Sequence, residues 1–218
     1  MSKPFRNPTL ADNIIGEIDR ALNNIFCKQP TSRTYPASQV PEESTTAMSV
    51  EQKRLAAGLM RVNHSGEMAA QALYQGQSLT ARDPKLVEKL KYASIEESDH
   101  LNWCRNRLEE LGERPSLFDP LWYAGSFAIG MAAGIAGDRW NLGFLAETEH
   151  QVVRHLDSHL ASLPENDTRS RAIVEQMKID EQGHAELAED LGAAELPKPA
   201  KQMMKLTSKV MTSIAEKI

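Results

Sequence analysis

Two Glu-x-x-His pairs, Glu97 with His100 and Glu181 with His184, carry side chains that hold a divalent metal through oxygen and imidazole nitrogen. Residues three apart share one face of a helix. With 20 Glu and 6 His in the chain, chance alone gives about half a match to the pattern, so position must decide. Leu86, Leu90, Ala93, Glu97, His100, Cys104, Leu108 and Leu111 step by threes and fours down one apolar stripe. Val174, Met177, Glu181, His184, Ala188 and Leu191 form a second. An unpaired carboxylate among leucines costs several kcal/mol or protonates; a bound metal resolves the conflict. A third match, Glu147 with His150, fails the same test. The stripe of its helix runs Leu142, Leu145, Glu149, Val152, Leu156, Leu160, Leu163, which puts Glu149 inward and leaves Glu147 and His150 outside. Glu67 is the inward carboxylate of a fourth segment, in the row Met60, Asn63, Glu67, Ala70, Tyr74, with small residues around it. His64 reads as a supporting or solvent-facing residue, because no Glu precedes it at ligand spacing, and His155 with His159 as a polar flank, because no Glu stands between them in the His-Glu-x-x-His order.

Four long helices must position these groups. The first runs from a Ser49/Gln52 capping pattern to about Ala81, the second from Pro84 to Leu111, the third from about Asn141 to Leu163 and the fourth from about Arg171 to Leu191. Between the second and third lies an uncharged stretch, Pro120 to Gly137, at the lower limit of a membrane span and interrupted by glycines. It reads as a buried or interfacial crossover. Residues 8–27 form an amphipathic helix with Leu10, Ile14, Ile18, Leu22 and Ile25 on one face, expected to dock on the main body. Residues 28–49, rich in Pro, Ser and Thr, read as an exposed or disordered linker. After Pro197 and Pro199, residues 201–218 form a last helix, with Met203, Thr207, Val210, Ile214 and Ile218 opposed by Lys201, Lys205 and Lys209.

The chain of 218 residues, 41% apolar, suffices for one core with appendages. A net charge of -5 and a pI near 5.7 argue against a nucleic-acid partner. Cys27 and Cys104 offer neither a disulfide framework nor zinc spacing, and the start MSKPFRNPTL lacks the apolar run of a signal peptide. A reducing, cytosolic setting is expected.

One Glu from each of two helices plus Glu-x-x-His from each of the other two is the dinuclear carboxylate site of ferritin-like bundles. The expectation is therefore an all-α chain: residues 1–48 as N-terminal helix and linker, 49–192 as a ferritin-like four-helix bundle with a crossover at 117–139, and 193–218 as a basic amphipathic C-terminal helix. Each metal would receive one His and one terminal Glu, with two Glu bridging.

The motifs RVNHSGEMAA, EESDH, the PLW segment, AETEHQVVRHL and DEQGH, spread over most of residues 50–192, resemble the demethoxyubiquinone hydroxylases of ubiquinone biosynthesis in their bacterial form. By that resemblance Glu67, Glu97, His100, Glu149, Glu181 and His184 match the family's iron ligands, the same six that periodicity selects. The resemblance implies two Fe ions, O2 as co-substrate and hydroxylation of a polyprenylated methoxy-benzoquinol. It further implies peripheral attachment to the cytoplasmic face of the cell membrane, an electron donor and other ubiquinone-biosynthesis proteins as partners. The N-terminal segment exceeds the family's shorter forms, so no function is carried over to residues 1–48. The rival expectation is a ferroxidase or iron-handling protein on the same bundle.

Overall fold

The computed structural model describes residues 9–41 and 47–218. Expectations that fall on residues 1–8 and 42–46, and on the side chains of Leu10 and Ile14, lie outside the described residues. Among these residues the chain forms seven α-helices and no strand: α1 (Leu10–Phe26), α2 (Val50–Thr80), α3 (Pro84–Glu110), α4 (Asp119–Ile135), α5 (Asp138–Ser162), α6 (Thr168–Asp190) and α7 (Lys198–Ala215).

Local chemistry sets the boundaries. Ser49 Oγ accepts from the Gln52 backbone N–H and Gln52 returns a bond to the Ser49 N–H, which opens α2 with a capping box. Pro84 sits in the first turn of α3 behind the Asp83 cap. Between α4 and α5 the chain reverses over two residues, and Gly137, at φ 111°, takes the left-handed conformation that other residues avoid. The third and fourth bundle helices begin a few residues earlier than periodicity suggests, at Asp138 and Thr168. The last begins at Lys198 because Pro199 is tolerated in a first turn.

Helix α4 lies along α2 in the same direction: Ser65 bonds Asp119 at 2.6 Å near the start, and Gly134 meets Thr80 near the end. A Cβ at Gly76 would collide with the Phe127 carbonyl oxygen, and one at Gly130 with that of Leu73, so backbone touches backbone here. Asp138 then accepts from the N–H groups of Arg82 and Asp83, placing the start of α5 at the end of α2. Helix α5 runs back antiparallel to α2, and α6 returns against it. Helices α2, α3, α5 and α6 are therefore a four-helix bundle with one long crossover. Two apolar clusters fill it. One includes Met60, Trp103, Leu108, Leu156, Ile173 and Met177, the other Leu86, Leu90, Leu142 and Leu145.

The appendages depart from expectation in two respects. Residues 28–41 are ordered, not a free linker: Ser32, Gln29 and a 3-10 turn at Pro36–Gln39 are gripped by Asp99, Asn102 and Arg169, and Ala37 is fully buried. Helix α1 does dock, but through Glu17, Ala21, Asn24 and Ile25 against Gln75, Tyr123 and the neighbouring apolar cluster. Ile18 and Leu22, expected inward, face outward with Ile15 and Phe26. The outer side of α4 exposes Leu121, Ile129 and Ile135, and α7 exposes Met203, Leu206 and Val210. No helix among the described residues is long and apolar enough to cross a membrane.

Candidate metal centre

The six residues selected by periodicity converge in a buried polar layer between the two apolar clusters. Glu67 comes from α2, Glu97 and His100 from α3, Glu149 from α5, Glu181 and His184 from α6. Ligand atoms of Glu67, Glu97, His100 and Glu181 lie within 4.8 Å of one another, and so do those of Glu149, Glu181 and His184. His100 Nδ1 is 3.3 Å from Glu97, 3.1 Å from Glu181 and 3.7 Å from Glu67. His184 Nδ1 is 3.4 Å from Glu97 and 3.0 Å from Glu181. Glu97 and Glu181 thus reach both imidazoles, while Glu67 belongs to the His100 side and Glu149 to the His184 side. Two carboxylates are thus shared and two belong to one side each, the placement that a dinuclear carboxylate site in such a bundle would need.

Both imidazoles turn Nδ1 inward and give Nε2 to a carboxylate outside the layer: His100 to Asp180 and His184 to Glu96, each at 2.8 Å. The contacts cross between helices, since Asp180 precedes Glu181 and Glu96 precedes Glu97. An acceptor on Nε2 fixes the tautomer that leaves Nδ1 free to ligate and raises its basicity. Tyr74, fully buried, donates its hydroxyl to Glu149 Oε1. The roles of Glu96, Asp180 and Tyr74 are additions to the expected set; the only local signal for the first two is an acid immediately before each Glu-x-x-His.

The electrostatics fit a cation. Burial, then the neighbouring Glu97, pushes the Glu67 carboxyl well above its ordinary range; burial and then Glu181 do the same to Glu149. Burial opposes charge on Glu97 too, yet bonds from Glu67, His100 and His184 outweigh it and hold that carboxyl low. Burial likewise disfavours the imidazolium of His100, and the surrounding carboxylates, Asp180 foremost, outweigh it and raise its pKa. Two buried oxygens, Glu97 Oε1 and Glu181 Oε1, belong to the two bridging candidates and lack a well-directed hydrogen bond. Four carboxylates and two imidazoles around such oxygens suit two divalent ions.

Glu147 and His150 stay outside, as their stripe implied. Glu147 meets Lys201 of α7 at 3.3 Å, and His150 meets Glu189 at 2.8 Å. His64 is neither ligand nor solvent-facing: it is fully buried, with Nδ1 3.0 Å from Asp119. His155 and His159 are more enclosed than a polar flank, with ring centroids 3.9 Å apart; burial and then His155 hold His159 down to about 3. Among the described residues they join no carboxylate cluster.

A family model described as ubiquinone biosynthesis protein COQ7 matches residues 54–215. The 3-demethoxyubiquinol 3-hydroxylase of Chromobacterium violaceum is 54% identical over 209 residues, 96% of this chain and 100% of the relative. That of Dechloromonas aromatica is 53% identical over 204 residues, 94% and 97% of the two chains. That of Xanthomonas euvesicatoria pv. vesicatoria is 50% identical over 215 residues, 99% and 98%. A match of 209 residues leaves nine of the 218 outside it, so most of the N-terminal segment is shared with the first relative. Among solved structures, a dodecameric thioferritin, the bacterioferritin-related protein from Bacteroides fragilis, superposes with a TM-score of 0.55 at 16% identity. The match covers 69% of this chain and 92% of that one, a likeness of fold.

Proposed function

The chain belongs to the family of ubiquinone biosynthesis protein COQ7, and from that membership we propose that Glu67, Glu97, His100, Glu149, Glu181 and His184 hold two iron ions with which the enzyme hydroxylates a demethoxyubiquinol. It is a hydroxylase of ubiquinone biosynthesis, as its relatives are named, and its substrate is a quinol. The observation that carries the metal assignment is the pair of imidazoles that turn Nδ1 onto Glu97 and Glu181 while Asp180 and Glu96 hold their outer nitrogens.

Two irons in this ligand set would supply O2 reduction and oxygen-atom transfer. The ring C–H becomes C–OH, the second oxygen atom leaves as water, and two electrons and two protons come from a donor. The chain's own groups prepare the site. Asp180 and Glu96 lock the imidazoles, Tyr74 orients Glu149, and Leu90, Leu142 and Leu145 keep the His184 side apolar, around a crevice of about 10 Å³. Such walls would limit the access of water to the layer of charges. In cells that lack their own demethoxyubiquinol hydroxylase, expression of this chain should restore the hydroxylated quinone, whereas a Glu181→Ala copy should leave the demethoxy compound accumulating; restoration by both would refute the metal assignment.

The protein's place is the cytoplasmic face of the membrane, held peripherally. Three outward apolar faces support this reading: Ile15, Ile18, Leu22 and Phe26 on α1, Leu121, Ile129 and Ile135 on α4, and Met203, Leu206 and Val210 on α7 beside Lys205 and Lys209. A prenyl tail would then stay in lipid while the ring reaches the bundle. Sedimentation with anionic vesicles should fall when residues 201–218 are removed and when salt is raised. Binding unchanged in both would take α7 out of membrane attachment.

A further inference from the structure

Among the described residues, the segment between α1 and α2 reaches the surroundings of the metal centre through Arg33. Asp99, fully buried, is one residue from His100 but points away from the ligand layer. It accepts from the backbone N–H and the hydroxyl of Ser32, both at 2.7 Å, and from Arg33 Nε at 3.3 Å. Thus pinned, the Arg33 guanidinium lies 4.8 Å over the Trp103 ring, and its NH1 meets Asp180 Oδ2 at 2.9 Å. That oxygen faces His100 Nε2 at 2.8 Å, and Arg33 NH2 lies 3.2 Å from the same nitrogen, so the guanidinium touches both partners of this contact. On the other side of the centre, Glu96, the acceptor for His184, is 4.0 Å from the same guanidinium. The two outer carboxylates are alike in sequence and in geometry, but Arg33 makes its close contact with only one.

We propose that Arg33 is a positioning residue for the His100 half of the metal centre: it holds Asp180 against His100 Nε2, and so makes the 28–41 segment part of the site. The proposal rests on the di-iron reading and adds to it an asymmetry between the two metal positions. Asp180 is partly open to solvent on α6, and Gln176 bonds its other oxygen at 3.0 Å. Without the guanidinium its carboxylate can swing toward water, and His100 loses the partner that fixes its tautomer. Losses of outer partners typically cost metal affinity about 10–100-fold. His184 keeps Glu96 throughout.

Full-length protein loaded with Co2+ and challenged with a chelator tests this, with release followed by the cobalt visible spectrum. In Arg33→Ala one of two cobalt ions should leave about tenfold faster or more, with the other unchanged and the spectrum altered for that one ion. Arg33→Lys keeps a cation near Asp180 without the fork that also grips Asp99, and should fall between. Lys28→Ala, a change on the same segment whose partner is the distant Asn106, should match wild type. Wild-type release of both ions in Arg33→Ala would overturn the proposal, as would acceleration of both by one factor or a Lys variant no slower than Ala. Wild-type protein that binds no cobalt would overturn the di-iron reading and this inference together; two bound ions with an unchanged Arg33→Ala would overturn this inference alone.

Discussion

Replacing Glu97 or Glu181 by Ala should reduce bound iron from about two per chain to less than one, and abolish hydroxylation. Each carboxylate reaches both imidazoles, so either change removes a shared ligand from both positions. The loss of affinity should exceed the roughly 10–100-fold cost of losing an outer partner. A second readout is independent of turnover. Iron that binds only the folded chain raises the melting temperature by mass action, and that rise should vanish in the two variants. Glu147→Ala is the matched control, because Glu147 turns toward Lys201 on α7 and not into the ligand layer. Iron retained in Glu149→Ala and lost in Glu147→Ala would reverse the reading of α5.

Arg107→Ala should destabilise the fold by about 3–5 kcal/mol, the cost of stranding a buried partner, while leaving the ligand layer intact. Arg107 is fully buried and donates to Asp167 and Glu110 at 2.8 Å and to Ser170 at 2.8 Å. Asp167 is equally buried and caps α6 through the Ser170 N–H. Without the guanidinium its charge remains in an apolar setting. Arg107→Met with Asp167→Asn should recover most of the loss, since Asn still caps and no charge is left behind. Urea unfolding of the metal-free variants measures both; a double variant as weak as the single one would show that packing, not charge, sets the cost.

The contrast between these two buried charge clusters bears on what a sequence discloses. Glu67, Glu97, His100, Glu149, Glu181 and His184 were legible because each interrupts a helical stripe of apolar residues, and a 3.6-residue period places such a residue inward whatever its neighbours are. The bundle and its crossover follow from the same pattern. Order in residues 28–41 had no such signal. It comes from Asp99, Asn102 and Arg169, side chains 66 to 132 positions away that bond the backbone and side chains of a segment with no period of its own. The face of α1 is only partly legible for a related reason: its inward side is partly polar, with Glu17 and Asn24 meeting Gln75 and Tyr123, so that of the apolar stripe Ile25 packs inward while Ile18 and Leu22 face out. His64 is buried beside Asp119, 55 positions on, a neighbour that no local pattern discloses.

Mass spectrometry of the product formed from a short-chain demethoxyubiquinol, a reductant and isotope-labelled O2 tests the hydroxylase most directly. Iron-loaded wild-type protein should yield a ring carrying one labelled oxygen, and Glu97→Ala should yield none. Iron oxidised and stored as mineral, with the quinol recovered unlabelled, would contradict the assignment and favour the ferroxidase that shares this bundle.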